Sequence, residues 1–71
     1  MTTKVEFETG GSVWKLLVAK GDAVEEGQEL MIMEVMKMEV PYEAPVSGTI
    51  TKLNVAEGDV VEEGDIALEI D

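Results

Sequence analysis

The chain has 71 residues and a net charge of −11, from 16 acidic and 5 basic side chains, and it contains no cysteine or histidine. That length allows one small domain with an aliphatic core, because disulfide and zinc frameworks need residues that the sequence lacks. The acidity argues against nucleic acid and anionic membrane surfaces as partners, since both attract a basic face. Without a histidine base, a cysteine nucleophile or a glycine-rich phosphate loop, the sequence favours a carrier role over catalysis.

In chain order, the sequence is typical of short strands separated by turns, and it shows no sustained helical periodicity. An alternating segment begins directly after the first residues, and β-branched side chains stand in the next apolar segment, 13–18. Gly21-Asp22 ends that segment and Gly27 marks a second turn, because glycine supplies the positive φ that such turns need. The pattern predicts a further strand at 30–33.

The second half repeats this pattern after a segment that contains two prolines. Pro41 and Pro45 restrict their surroundings to an edge strand or a loop. An apolar segment at 50–55, two glycine turns and a strand at 67–70 then follow in the same order as before. In the strand predicted at 30–33, Met31 and Met33 are expected in the core.

A shift of 37 residues aligns 11–27 with 48–64, and 11 of the 17 aligned residues are identical. Such agreement in so short a chain indicates two copies of one motif. One copy cannot bury its own apolar face, so the two must pack on each other. We predict a single all-β domain over 1–71, a flattened barrel-sandwich of about eight short strands with a pseudo-two-fold axis and repeat halves at about 1–36 and 38–71. Trp14 departs from the symmetry, because it aligns with Thr51.

Lys37 has a special position in this repeat. Under the shift it corresponds to the point just before Met1 or just after Asp71. If a two-fold axis relates the copies, the turn around Lys37 lies at the opposite end of the domain from the chain termini. One end would then be a tether point and the other a presentation point, which suits a carrier.

The segment around this lysine is Glu34-Val35-Met36-Lys37-Met38-Glu39. It resembles the biotin-attachment motif, in which the modified lysine lies between two methionines at a hairpin tip. The resemblance covers nearly the whole chain from about Val5, through a Gly-Asp-x-Val-x-x-Gly-Gln turn at 21–28 and an Ala-Pro-x-x-Gly segment at 44–48. Val35 stands where biotin domains usually have Ala or Ser, as it does in eukaryotic acetyl-CoA carboxylases. The chain is most similar to the compact carriers of pyruvate-, propionyl- and methylcrotonyl-type carboxylases, since it lacks an insertion like the thumb of some bacterial carriers.

This resemblance implies a biotin carboxyl carrier protein, which is a non-catalytic component of a biotin-dependent carboxylase. Lys37 would hold biotin covalently, and Met36 and Met38 would be contacted by the ligase and by later partners. The implied partners are a biotin protein ligase, a biotin carboxylase and a carboxyltransferase. The carboxylase would be an acetyl-CoA carboxylase, which serves fatty acid biosynthesis, or a related acyl-CoA or pyruvate carboxylase. We expect a free-standing, cytoplasmic subunit that is monomeric alone and binds no metal.

The residue types suit that role for reasons independent of the family. A lysine supplies a flexible four-carbon stem and an amine that can form an amide, and a tight turn holds its backbone in place. Methionine is unbranched and polarizable, so Met36 and Met38 can adapt to several successive partners.

Other interpretations of the same residues are weaker. A lipoyl domain resembles this fold, but its lysine usually follows Asp and precedes a small residue. An unmodified barrel-sandwich adaptor, as in efflux systems, has no reason to keep Met-Lys-Met at the tip. The repeated acidic clusters at 22–26 and 59–63 do not follow the calcium-loop pattern and are interpreted as solvated turns. Glu34 and Glu39 are interpreted as solvated charges rather than catalytic groups.

Overall fold

A computed structural model describes residues 2–71. Within that range the chain forms eight strands, β1 Thr3–Glu6, β2 Gly11–Leu16, β3 Ala23–Val24, β4 Glu29–Val35, β5 Met38–Glu43, β6 Gly48–Leu53, β7 Val60–Val61 and β8 Ile66–Ile70. They build two four-stranded antiparallel sheets with the orders β1-β8-β6-β3 and β5-β4-β2-β7. The predicted all-β sandwich is thereby confirmed. None of the residues from 2 to 71 lies in a helix long and apolar enough to cross a membrane.

The two sheets correspond strand by strand under the 37-residue shift. The shift maps β2, β3 and β4 onto β6, β7 and β8, and β1 onto β5, so that one sheet order becomes the other. Even the irregularities match, because the ladder shifts between Val13 and Lys15 and again between Ile50 and Lys52. The repeat in the sequence is therefore a repeat in the backbone.

Four tight turns with one shared design join these strands. Each has glycine at its third position with φ between 87° and 94°, at Gly21, Gly27, Gly58 and Gly64. Such a positive φ belongs to the third position of a type II turn. The fourth residue closes each turn, and its side-chain oxygen accepts a hydrogen bond from the first residue's N–H at 2.9–3.0 Å; these acceptors are Asp22, Gln28, Asp59 and Asp65.

Backbone hydrogen bonds from the turn glycines then fasten one repeat to the other. The N–H of Gly21 donates to the carbonyl of Ile50 at 2.8 Å, and its counterpart Gly58 donates to that of Val13 at 2.7 Å. The other two turns bond in the same reciprocal manner, since Gly27 donates to Ala44 and Gly64 to Phe7. The acidic clusters predicted as solvated turns are these turns, and two of their aspartates accept turn hydrogen bonds.

The core lies between the inner faces of the two sheets. Met31 and Met33 are fully buried, which confirms their predicted place. Phe7 is also buried and meets the ring of Tyr42 edge-on, with 5.6 Å between centroids. The rest of the buried set is aliphatic, and it consists of Val5, Val13, Val18, Val24, Leu30, Ala44, Ile50, Val61, Ala67, Leu68 and Ile70. No buried polar side chain occurs among residues 2–71.

Two details of the strands differ from the sequence-based expectation. The apolar segments were expected to continue to Val18 and Val55, but β2 ends at Leu16 and β6 at Leu53. Both valines still pack on or against the core, so their hydrophobicity reflects burial of a loop rather than strand pairing. Strands β3 and β7 were not predicted, because two residues are too few to show an alternating pattern.

The tip of the β4–β5 hairpin and the chain termini lie at opposite ends of the domain. At the base of the hairpin, Ala44 exchanges backbone hydrogen bonds with Gly27 and Gln28. Thr49 pairs with strand β3, which directly precedes the turn that contains Gly27. Thr49 also exchanges backbone hydrogen bonds with Asp71, whose carboxylate accepts a hydrogen bond from Thr2. The tip is the length of β4 away, about 20 Å at the rise of a strand. This is the arrangement that the repeat predicts.

Candidate functional site

The sequence motif around Lys37 forms a hairpin with a two-residue loop. Strands β4 and β5 pair up to Val35 and Met38, and only Met36 and Lys37 lie between them. Both loop residues have positive φ, 52° and 65°. Positive φ at both central residues defines a type I′ turn, whose twist matches that of the two strands.

This turn is unusual for its residue types. Type I′ loops are dominated by Asn-Gly and similar pairs, because a side chain with a Cβ is crowded in the left-handed region. Two larger residues held there cost on the order of 1–3 kcal/mol each. Six cross-strand pairs in the ladder between β4 and β5 hold the turn in this conformation. Backbone strain that the surroundings maintain is typical of functional positions.

The three side chains of the motif project into solvent. Met36 is 91% exposed and Met38 is 67% exposed, whereas Met31 and Met33 in the same hairpin are fully buried. Lys37 is exposed as well, and the side-chain hydrogen bonds among residues 2–71 do not include it. Acylation of its amine would therefore break no hydrogen bond of the domain.

A close contact between strands β2 and β4 supports the tip from below. A Cβ on Gly11 would lie 2.6 Å from the carbonyl oxygen of Glu34 and 2.9 Å from Cγ2 of Val35. Val35 is half-buried and packs against the core. The sequence alone did not identify Gly11 as a support of the motif. The signal that could have identified it is the alignment of Gly11 with Gly48, because the backbone approaches closely at both glycines: a Cβ on Gly48 would lie 2.5 Å from the carbonyl oxygen of Asp71.

Two carboxylates flank the motif on the exposed face of the hairpin. Glu34 and Glu39 are directly opposite each other in the ladder, one pair below Val35 and Met38. Both are exposed, as predicted for solvated charges. Like charges placed opposite each other are mildly destabilising. They leave the lysine at the end of a hairpin whose rim is acidic.

This geometry is suited to presentation rather than to catalysis. A catalytic nucleophile needs a base within hydrogen-bond reach and a site that excludes water. Lys37 instead stands at an exposed turn, on a backbone held by the hairpin ladder and with a flexible side chain. The arrangement can hold a covalently attached group away from the body of the domain and offer it to other proteins.

Comparison with known proteins shows which family the chain resembles. The family model described as biotin-requiring enzyme matches residues 3–70. A biotin/lipoyl attachment protein of Bacillus subtilis (strain 168) is 46% identical over 66 residues, which cover 93% of this chain and 90% of the relative. Urea amidolyase of Saccharomyces cerevisiae is 44% identical over 43 residues, 61% of this chain and 2% of that protein.

Solved structures of large carboxylases contain the same fold. A single-chain, multi-domain long-chain acyl-CoA carboxylase matches 96% of this chain with a TM-score of 0.89 and 26% identity. The urea carboxylase of Kluyveromyces lactis matches all of it with a TM-score of 0.90 and 37% identity. The chain spans only 7% and 6% of these two proteins. The family model and the B. subtilis relative both match nearly the full length of the chain, and the fold and the exposed hairpin lysine agree with them. The chain therefore belongs to the biotin/lipoyl attachment family, as a non-catalytic carrier domain.

Proposed function

We propose that Lys37 carries biotin in amide linkage and that the domain moves a carboxyl group between a biotin carboxylase and a carboxyltransferase. The observation that carries this proposal is the Met36-Lys37 turn, strained and exposed at the end of the domain farthest from its termini. A tether at the termini leaves that end free to visit two sites. Tethering also raises the effective concentration of the carried group at both of them.

Attachment uses the amine of Lys37 as the nucleophile. A biotin protein ligase supplies biotinyl-adenylate, the Nζ nitrogen forms the amide bond, AMP leaves, and the amine gives up a proton. Met36 and Met38 provide adaptable contact surface for the ligase and for the two later partners. Biotin, when bound, supplies a ureido nitrogen that can take up and release a carboxyl group.

The acceptor of the carboxyl group is best sought among acyl-CoA thioesters. One structural relative is a long-chain acyl-CoA carboxylase, and acetyl-CoA would make the domain part of fatty acid biosynthesis. Pyruvate, and urea as suggested by the urea carboxylase relative, are the other candidates. The proposal includes a cytoplasmic location and a domain that is monomeric alone.

Lipoate is the second candidate for the attached group, because the B. subtilis relative is described for both cofactors. The methionines on both sides of Lys37 favour biotin, since the lysine of lipoyl domains usually follows Asp and precedes a small residue. The lipoyl role would replace carboxyl transfer with acyl transfer in a 2-oxo acid dehydrogenase complex.

The test is intact mass after co-expression with a biotin protein ligase and biotin. We expect the wild-type chain to gain the mass of biotin less one water, and Lys37→Ala to gain nothing. Lys20→Ala is the matched control, because Lys20 is also an exposed turn lysine and its loss should leave the gain unchanged. A parallel expression with a lipoate ligase and lipoate separates the two cofactors. A gain only in that arm would overturn the biotin assignment.

A further inference from the structure

The exposed large hydrophobic side chains of the domain are concentrated in one of its two sheets. Apart from Met36 and Met38 at the tip, those among residues 2–71 are Trp14, Leu17 and Val60. Trp14 and Val60 lie on β2 and β7 of the sheet β5-β4-β2-β7, and Leu17 directly follows β2. The sheet β1-β8-β6-β3 has no such side chain.

The internal repeat provides a control for this difference, because each position of one sheet has a counterpart in the other. On the outer face of β5-β4-β2-β7 stand Trp14, Ile32, Pro41 and Val60. Their counterparts under the 37-residue shift are Thr51, Glu69, Lys4 and Ala23. In every pair, the residue of the sheet β5-β4-β2-β7 is the more apolar of the two. Since the backbone is the same, the fold does not require these apolar residues.

The apolar positions are neighbours in the ladder. Lys15 pairs with Ile32, and Ile32 pairs with Pro41, so that the three form a row across the sheet. Trp14 is the extra residue of the bulge beside Lys15, whose Nζ atom lies 5.2 Å from the centroid of the indole ring. Val60 lies on the edge strand in the next row towards the tip, where Ser12 separates it from Glu34 and Glu39. We call Trp14, Ile32, Pro41 and Val60 the apolar face.

The equivalent row of the other sheet is composed of alternating charges. Glu69 stands between Lys4 on one side and Lys52 on the other. Opposite charges on adjacent strands attract each other, and such a row is stable in water without a partner. The apolar face has no such compensation, and exposed apolar residues that adjoin one another mark interaction sites.

Acidic side chains border the apolar face at both of its ends. Glu34 and Glu39 form the row next to the tip, and Glu29 and Glu43 form a pair at the base of the hairpin. An apolar centre with a charged rim is the usual arrangement of a protein interface. The complementary surface would be an apolar patch bordered by lysine or arginine side chains.

We infer that the apolar face docks on a biotin carboxylase, through an apolar patch of that enzyme bordered by basic side chains. This inference rests on the proposed function. The same two strands, β4 and β5, carry both the apolar face and the Lys37 turn. Docking of the sheet therefore sets the position and direction in which the tip enters the partner's site.

The test compares two double variants as substrates for a purified biotin carboxylase. Trp14→Thr with Ile32→Glu converts two of the four residues of the apolar face to their counterparts in the other sheet, Thr51 and Glu69, which a matching backbone already accepts there. Thr51→Ala with Glu69→Gln changes the two equivalent positions and is the matched control. Each protein is biotinylated to completion, which intact mass verifies, and kcat/KM for the carrier is measured from ADP release with MgATP and bicarbonate. Urea unfolding verifies that all of them are folded.

We expect W14T/I32E to lower kcat/KM by about tenfold or more through KM, because a central tryptophan is a typical hot spot, and the control to stay near the wild type. The single variant Val60→Ala should show a smaller loss in the same direction. The wild-type value should also fall as NaCl is raised, since charge attraction contributes to the encounter.

Several results would overturn the inference. One is an equal kcat/KM for W14T/I32E and the control; another is a wild-type carrier used no better than free biotin. A wild-type dimer in sedimentation that W14T/I32E dissociates would assign the face to a second copy of the chain instead. A chain that takes up no biotin would overturn the proposed function, and this inference with it, whereas a biotinylated chain with an unchanged KM would overturn this inference alone.

Discussion

Met36 and Lys37 combine two properties that rarely occur together, bulky side chains and left-handed backbone. The strain places the lysine at the apex of a two-residue loop, where its side chain has the greatest freedom to move outside the domain. A more stable turn would use asparagine, which tolerates positive φ well. The methionine is therefore expected to be kept for contact with partners at some cost in stability.

Met36→Asn should raise the free energy of unfolding of the unmodified chain by about 1 kcal/mol, because it relieves part of this strain. Biotin attachment by the ligase should become slower in the same variant. Urea unfolding and a timed mass measurement give the two values. Met38→Asn is the control, since Met38 lies in strand β5 and should give no stabilisation. A Met36→Asn protein no more stable than the wild type would contradict the strain argument.

Gly11 shows how a residue outside the motif determines the motif's geometry. Its missing Cβ allows β2 to approach the carbonyl of Glu34 and the side chain of Val35 closely. Any larger residue must push β4 away just below the turn. The bulky Val35, at a place where biotin domains usually have a small residue, makes this contact tighter still.

Gly11→Ala should lower the free energy of unfolding by about 1–3 kcal/mol, the usual cost of overpacking. Gly10→Ala is the matched control, because its nearest non-neighbouring atom would be 3.4 Å from the new Cβ, and it should cost less. Both values come from urea unfolding of the purified proteins. Equal costs for the two variants would show that the close approach to β4 is not the cause.

The four glycine turns are the elements that join the two repeats to each other by backbone hydrogen bonds. In each, the glycine's N–H bonds to the opposite repeat, while the fourth residue's side chain bonds within the turn. Local and long-range hydrogen bonds thus occur in the same turn. Each turn fixes one repeat against a strand or loop of the other.

Gly21→Ala and Gly58→Ala should each lower the free energy of unfolding by about 1–2 kcal/mol, and by similar amounts. The cause is backbone strain alone, because φ is 94° and 91° at these positions and no atom outside the adjacent residues lies within 4 Å of either new Cβ. Denaturant unfolding of the single and double variants checks both the equality and the additivity expected of separate sites. A much larger cost for one of them would show that the two turns are not energetically equivalent.

The whole molecule has a charge of −11 on 71 residues and no buried charged side chain among residues 2–71. Its acidic residues therefore repel one another across the surface of a small domain. Such repulsion favours solubility and opposes compaction. Dissolved salt screens it over a distance of about 10 Å at 0.1 M ionic strength.

The midpoint of urea unfolding should therefore rise as NaCl is increased from about 0.01 to 0.2 M, a range in which the screening length shortens several-fold. Glu63→Lys changes the net charge from −11 to −9, and it should raise the midpoint at low salt and flatten its salt dependence. A midpoint that falls with salt would indicate that attractive pairs, such as the Lys4–Glu69–Lys52 row, outweigh the repulsion.

The sequence by itself determined the strand-and-turn order, the two-copy architecture and the position of Lys37 at the end opposite the termini. These features depend on signals that are visible along the chain, namely alternation of apolar residues, glycine at positions that need positive φ, and the repetition of 11–27 in 48–64. Only the tertiary structure decided the short strands β3 and β7, the support of the tip by Gly11, and the exposure of Trp14 on one sheet. Each of these depends on which residues meet across the ladder and between the sheets. That information comes from packing between residues distant in sequence, which no local pattern contains.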